Sequence, residues 1–200
     1  LEAIGAMDWV RALPEGVEET LVDWSRRLFE AVGYVGLGTC EFLVEGDGRV
    51  SFLEVNPRLQ VEHTVSEEVT GLDLVEQQLR IASGEPMAEA PAPRAHSFEF
   101  RITCEDPASG MIPSTGTVTR LRWPLGHGVR IESGINEGVT VTPDFDPMLA
   151  KLVVTAPTRE AAIARARRAL AELDIKGVAT PAALYSSVVA LDEFSPHVPS

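Results

Sequence analysis

Apolar residues at Leu21, Val22, Trp24, Leu28, Phe29 and Val32 recur at helical spacing and predict a helix over 17–32. The pattern then changes. Runs 40–45 and 49–55 are apolar-rich and flank Asp47-Gly48, the favoured two-residue loop of a type I′ hairpin, so a hairpin is expected over 37–55 with the helix packed on it. That loop puts Glu41 opposite Glu54, Leu43 opposite Phe52 and Phe42 opposite Leu53. A bulge, or a four-residue loop over 45–48, would change the pairing. Residues 72–83 read as a second helix ended by Gly84, with Asp73 near its positive end. From Phe98 onward, runs 98–104, 117–122, 128–132 and 151–155 read as strands between Pro and Gly turns. Thr158 caps a helix to about Leu173, and a last helix follows Pro181.

Gly84-Glu85-Pro86 and Ala90-Pro91-Ala92-Pro93 form a proline-rich connector between an α/β first part and a strand-rich second part. The chain is read as α+β, with domains 1–88 and 89–200. No internal repeat is evident. Its 200 residues suffice for one or two compact units, and a formal charge of −13 argues against nucleic acid or anionic membranes as partners. The cationic cluster Arg165, Arg167 and Arg168 shares a helix with the apolar stripe Ile163, Ala166, Leu170 and Leu173, and reads as a solvated face. Cys40 and Cys104 have no metal-ligand spacing, and the sequence shows no long apolar run and leads us to expect no signal peptide. Both cysteines read as reduced and packed in a cytoplasmic protein. The histidines His63, His96, His127 and His197 lack a ligand pattern, and His63 reads as a hydrogen-bonded structural residue.

The chemistry concentrates in one stretch. Residues 54, 56, 58, 60 and 62 share one parity, so wherever the backbone stays extended Glu54, Asn56, Arg58, Gln60 and Glu62 project to one face. Glu41 joins them through the hairpin. Two glutamates directly opposite repel, by up to about 1 kcal/mol, and a cation between them reverses the sign. Oxygen-only ligands, with Asn56 one step along the same face, suit a hard ion such as magnesium that keeps waters and bridges phosphates. The competing chemistry is a carboxylate pair sharing one proton.

The run Glu54-Val55-Asn56-Pro57-Arg58-Leu59-Gln60-Val61-Glu62-His63 resembles the signature of biotin carboxylase. The similarity continues through Thr70-Gly71-Leu72-Asp73-Leu74-Val75, Gln78-Leu79-Arg80-Ile81-Ala82-Ser83-Gly84-Glu85-Pro86, Phe100-Arg101-Ile102-Thr103-Cys104-Glu105-Asp106-Pro107, Ile112-Pro113-Ser114-Thr115-Gly116 and Asp146-Pro147-Met148-Leu149-Ala150-Lys151-Leu152. It covers about residues 17–193. The resemblance implies the carboxy-terminal part of an ATP-grasp domain, an antiparallel sheet with helices, followed by the strand-rich biotin carboxylase C-terminal domain. It also implies a reaction. ATP and bicarbonate give carboxyphosphate, which carboxylates biotin on a carrier, the first half-reaction of an acyl-CoA carboxylase.

Carried over residue by residue, Glu41 and Glu54, with Asn56 beside them, would hold the magnesium or manganese on ATP. Arg58 would bind bicarbonate and carboxyphosphate, Gln60 and the Val61 backbone would line the bicarbonate site, and Glu62 would be the base. Arg101 would stabilise negative charge on the biotin ureido oxygen. These roles make chemical sense unaided, since bicarbonate is a poor nucleophile until deprotonated and an arginine fork suits carboxylates and oxyanions. Implied partners are a biotin carboxyl carrier protein or domain, a carboxyltransferase subunit or domain and, in the complete enzyme, a second copy. Acceptor choice, among acetyl-CoA, propionyl-CoA, pyruvate and urea, belongs to the carboxyltransferase.

The family's nucleotide lid, with its glycine-rich loop and phosphate-facing lysines, has no counterpart here; the first lysine is Lys151. The chain, which starts at Leu1 with Met7 the first methionine, is therefore expected to be a carboxy-terminal half without useful turnover alone. One departure falls at Gly177-Val178-Ala179-Thr180-Pro181, where the family usually carries lysine and asparagine near the adenine pocket. Two other readings compete: an assembly or dimerisation module derived from a biotin carboxylase, and another ATP-grasp ligase. The last leaves Arg58 to His63 and Arg101 unexplained.

Overall fold

The structure is a computed structural model that describes residues 13–87 and 91–194. The chain divides into two compact units between Arg94 and Ala95. The expected boundary at 88/89 falls outside the described residues, as do Leu1, Met7 and His197.

In the first unit, helix α1 (Val17–Ala31) carries Glu18 and Glu19 in its first turn, where the helix dipole favours acids, and buries Val17, Leu21 and Phe29. Strands β1 (Thr39–Val44) and β2 (Val50–Asn56) form the expected antiparallel hairpin. Trp24 of α1 meets Phe42 of β1 with ring centroids 6.2 Å apart, and Gly38 admits the Phe29 ring where a Cβ would stand 2.8 Å from it. The turn differs from the expected one. Gly48 N–H donates to Glu45 O and Glu45 N–H to Arg49 O, both at 2.9 Å, and Gly48 has φ 86°, which makes a three-residue loop closed by a left-handed glycine. Phe42 therefore faces Phe52 and Leu43 faces Ser51, not the expected Leu53 and Phe52. A bulge at Leu53 then moves the register back by one, so Glu41 faces Glu54 after all. Two single-residue displacements cancel at the glutamates.

The extended chain ends at Asn56, and a helix that the apolar pattern did not show, α2 (His63–Thr70), follows. Gly71 ends it with φ 77°. Helix α3 (Leu74–Ala82) starts at Asp73, whose carboxylate accepts Glu76 N–H at 2.8 Å, and stops before Gly84, as read from the sequence. Buried Glu67 ties the two helices by accepting Leu74 N–H at 2.8 Å.

The second unit contains β3 (His96–Thr103), β4 (Glu105–Asp106), β5 (Ile112–Pro113), β6 (Gly116–Thr117), β7 (Arg120–Arg122), β8 (Val129–Ser133), β9 (Thr140–Val141), β10 (Met148–Ala156), α4 (Arg159–Glu172), β11 (Asp174–Lys176) and α5 (Ala182–Ala190). Its centre is an antiparallel sheet ordered β3-β10-β8, with small ladders β4-β5, β6-β9 and β7-β11 beside it. Phe100, Ile102, Leu152 and Val154 alternate along β3 and β10 and pack with Ala166, Ala169 and Leu170 of α4 and Val189 of α5. Thr158 caps α4 by accepting Ala161 N–H at 3.2 Å, and fully buried Pro181 precedes α5. The stripe Ile163, Ala166 and Leu170 is buried as expected, but the arginines beside it do more than face water. Arg165 donates to Thr155 O, Arg167 to Val189 O at 2.8 Å and Arg168 to Leu125 O at 3.2 Å, so each ties α4 to a different segment. Gly177, at φ 97°, passes so close to Thr117 O that a Cβ would stand 1.9 Å from it.

Among the described residues no helix is long and apolar enough to cross a membrane, and Cys40 and Cys104 are free thiols. Burial pushes the Cys104 thiol up.

Candidate functional site

In the first unit, β1 and β2 present Glu41 and Glu54 as a directly opposed pair. The amide of Asn56 lies between them and donates through Nδ2 to Glu41 Oε1 at 2.9 Å and to Glu54 Oε1 at 3.0 Å. Gln60 Nε2 adds a second bond to Glu41 Oε1 at 3.0 Å. Two carboxylates that would repel are thus held on shared donors.

Only Glu54 and Asn56 owe their common direction to the strand; Arg58, Gln60 and Glu62 come from the turn beyond it. Arg58 N–H folds back onto Asn56 O at 2.8 Å, which ends the extended parity. The turn nevertheless returns Arg58 Nη2 to 3.4 Å from Asn56 Oδ1 and Gln60 to Glu41. Glu62 immediately precedes α2 and is exposed; its carbonyl accepts Val65 N–H at 3.0 Å. Val61 is half-buried beside it. His63 begins α2 with Nδ1 2.8 Å from Gln60 O, the hydrogen-bonded structural histidine expected from the sequence.

The chemistry of the donors, carboxylate and amide oxygens, is the kind a hard divalent cation takes. Both facing groups are carboxylates, and the neighbouring amide turns its nitrogen to them and its oxygen toward Arg58; among the described residues no group of three or more His, Cys, Asp or Glu gathers. A cation taking only two carboxylates and one amide oxygen keeps room for water and phosphate.

Arg101 belongs to the second unit, on β3 directly opposite Lys151 of β10. Its carbonyl accepts the Tyr185 hydroxyl at 2.8 Å, and its Nε lies 3.7 Å from Glu99 Oε1. Burial raises the Tyr185 phenol, helped by the charge of Glu105. Sequence reading singled out Arg101 but passed over Glu99, Lys151 and Tyr185. A lone lysine inside the apolar run of β10 was the available signal.

The biotin carboxylase C-terminal domain family matches residues 99–197, and the carbamoyl-phosphate synthase L chain ATP-binding domain family matches residues 10–90. The chain belongs to the biotin carboxylase family. It is 46% identical over 180 residues to the biotin-dependent acyl-coenzyme A carboxylase alpha3 subunit of Mycobacterium leprae, covering 89% of this chain and 30% of that one. It is also 46% identical to the biotin carboxylase of Halalkalibacterium halodurans, over 88% of this chain and 39% of that one. Among solved structures, the biotin carboxylase domain of Hydrogenobacter thermophilus 2-oxoglutarate carboxylase, a dimer with MgADP, ADP and bicarbonate, superposes with a TM-score of 0.88 at 36% identity. That match covers 94% of this chain and 42% of the other. The Campylobacter jejuni biotin carboxylase gives 0.86 at 38% identity, over 93% and 42%. The chain thus spans roughly a third of the length of its curated relatives.

Proposed function

We propose that this chain supplies the metal-, bicarbonate- and biotin-facing groups of an ATP-dependent biotin carboxylase, working within a longer protein and carboxylating biotin for an acyl-CoA carboxylase. The opposed Glu41 and Glu54, joined by Asn56 and followed at once by the Arg58 to Glu62 turn, carry this reading. Its relatives' bound MgADP and bicarbonate support it.

Glu41, Glu54 and Asn56 would hold magnesium or manganese, which when bound would supply positive charge for the phosphates of ATP. Glu62 removes the bicarbonate proton, and Arg58, Gln60 and the Val61 backbone orient the resulting carbonate for attack on that phosphoryl group. The products are carboxyphosphate and ADP. Carboxyphosphate then gives up its carboxyl group to the biotin ureido nitrogen, the phosphate it releases takes the proton from that nitrogen, and Arg101 stabilises the charge that gathers on the ureido oxygen. The partners are a biotin carboxyl carrier protein or domain, a carboxyltransferase and a second copy, in the cytoplasm. The test is transfer of labelled bicarbonate to free biotin by the full-length protein carrying these residues. Label in biotin that depends on both ATP and magnesium is the expected result; none, in a folded protein that binds ATP, overturns the function.

A further inference from the structure

One face of the β3-β10-β8 sheet carries a set of charges of which Arg101 alone has an assigned role. Across the ladders, Arg101 faces Lys151 and Lys151 faces Glu132, while Glu99 and Arg130 flank Val153. Two cations side by side repel. Glu99 lies diagonally between them, with Oε1 3.7 Å from Arg101 Nε and Oε2 4.0 Å from Lys151 Nζ. Arg130 Nη2 pairs with Glu132 at 2.7 Å. The five side chains together keep one net positive charge.

Burial separates these groups. The Glu99 side chain is 5% exposed and that of Lys151 9%, whereas Arg101 is half exposed. A buried carboxylate therefore lies at ion-pair distance, longer than a hydrogen bond, from the inner edge of a half-exposed guanidinium. The ion pair is at Nε, the inner nitrogen of the group, so its pull biases the tilt of the guanidinium plane. Because each Glu99 oxygen faces a different cation, its charge is divided and Arg101 stays electropositive. The main chain of Arg101 is held as well, by the hydroxyl of Tyr185 from α5.

We infer that Glu99 is a positioning residue for Arg101, fixing the guanidinium for the biotin ureido oxygen while Lys151 draws off part of the carboxylate's charge. This rests on the role proposed for Arg101. Two partial reactions separate Glu99 from a general structural role: bicarbonate-dependent ATP cleavage without biotin, and carboxylation of free biotin. In the full-length protein, Glu99→Gln is expected to lower kcat for biotin carboxylation by about 100-fold, the scale of a misplaced catalytic group. ATP cleavage without biotin should stay within about twofold, because that step does not use Arg101, and Glu99→Asp should restore at least about tenfold of the lost rate by returning a carboxylate. Since Glu99→Gln leaves Lys151 buried without that carboxylate, the double variant E99Q/K151M removes both charges. It should melt near the wild-type temperature and keep the selective loss.

Wild-type biotin carboxylation in a folded Glu99 variant overturns the inference, and so does a parallel fall in both partial reactions in the double variant. A wild-type protein that forms no carboxybiotin overturns the underlying function, and is recognised because no substitution is involved.

Discussion

The β1-β2 hairpin and the β3-β10-β8 sheet solve opposite problems. Leu152 and Val154 of β10 are fully buried, because β10 is paired on both edges and α4 packs against the face they share. Leu43, Phe52 and Leu53 of the hairpin are 53%, 49% and 57% exposed, and among the described residues each of its strands pairs only with the other. The candidate metal ligands stand on the lightly buried element, and Arg101 on the deeply buried one. A pair of facing glutamates is tolerated where amides reach it. An arginine that must stay put is instead anchored to a rigid sheet.

The largest expected effect sharpens this contrast. Leu152→Ala should destabilise the second unit by about 3 kcal/mol, as truncations of fully buried leucines do, and Leu53→Ala the first by less than about 1 kcal/mol. Chemical denaturation read separately for the two units checks this, and equal losses would erase the contrast. A smaller effect is expected at the acid pair. Glu54→Gln should raise the stability of the metal-free protein by about 0.5 kcal/mol, by relieving like-charge repulsion. It should also abolish the rise in melting temperature that magnesium gives the wild type. A magnesium response that survives the substitution would remove Glu54 from the cation site.

The smallest effect concerns pH. The Tyr185 phenol is raised above its ordinary value of 10.0, by burial first and Glu105 second. Its contribution is therefore fully present below about pH 10 and lost as pH rises through the folded value. Tyr185→Phe should cost about 0.5 kcal/mol at neutral pH through the lost bond to Arg101 O, and flatten the alkaline slope. An unchanged slope would place its origin elsewhere.

Much of this was legible from local signals. Asp73, Thr158 and Pro181 mark the starts of α3, α4 and α5, and Gly84 the stop after α3. Helix α2 was not legible, because His63-Thr64-Val65-Ser66-Glu67-Glu68-Val69-Thr70 is polar and β-branched and depends on the burial of Thr64, Val69 and Thr70. The opposition of Glu41 and Glu54 was read correctly although the loop was not, since the bulge at Leu53 offsets the three-residue turn. Parity beyond Asn56 was the wrong reason for grouping Arg58 and Gln60; a turn, not a strand, brings them back. Two-residue ladders such as β4-β5 carry no pattern a sequence can show.

The proposed division of chemistry between the units is tested most directly by Glu62→Gln and Arg101→Ala in the full-length protein. Both partial reactions would be followed alongside ATP binding. Glu62→Gln is expected to suppress bicarbonate-dependent ATP cleavage by at least about 100-fold with ATP affinity little changed. Arg101→Ala should leave that cleavage nearly intact and lower biotin carboxylation by about 100-fold. Near-normal turnover in the first variant, or an unchanged carboxylation rate in the second, would contradict the assignment of base and oxyanion stabiliser to separate units.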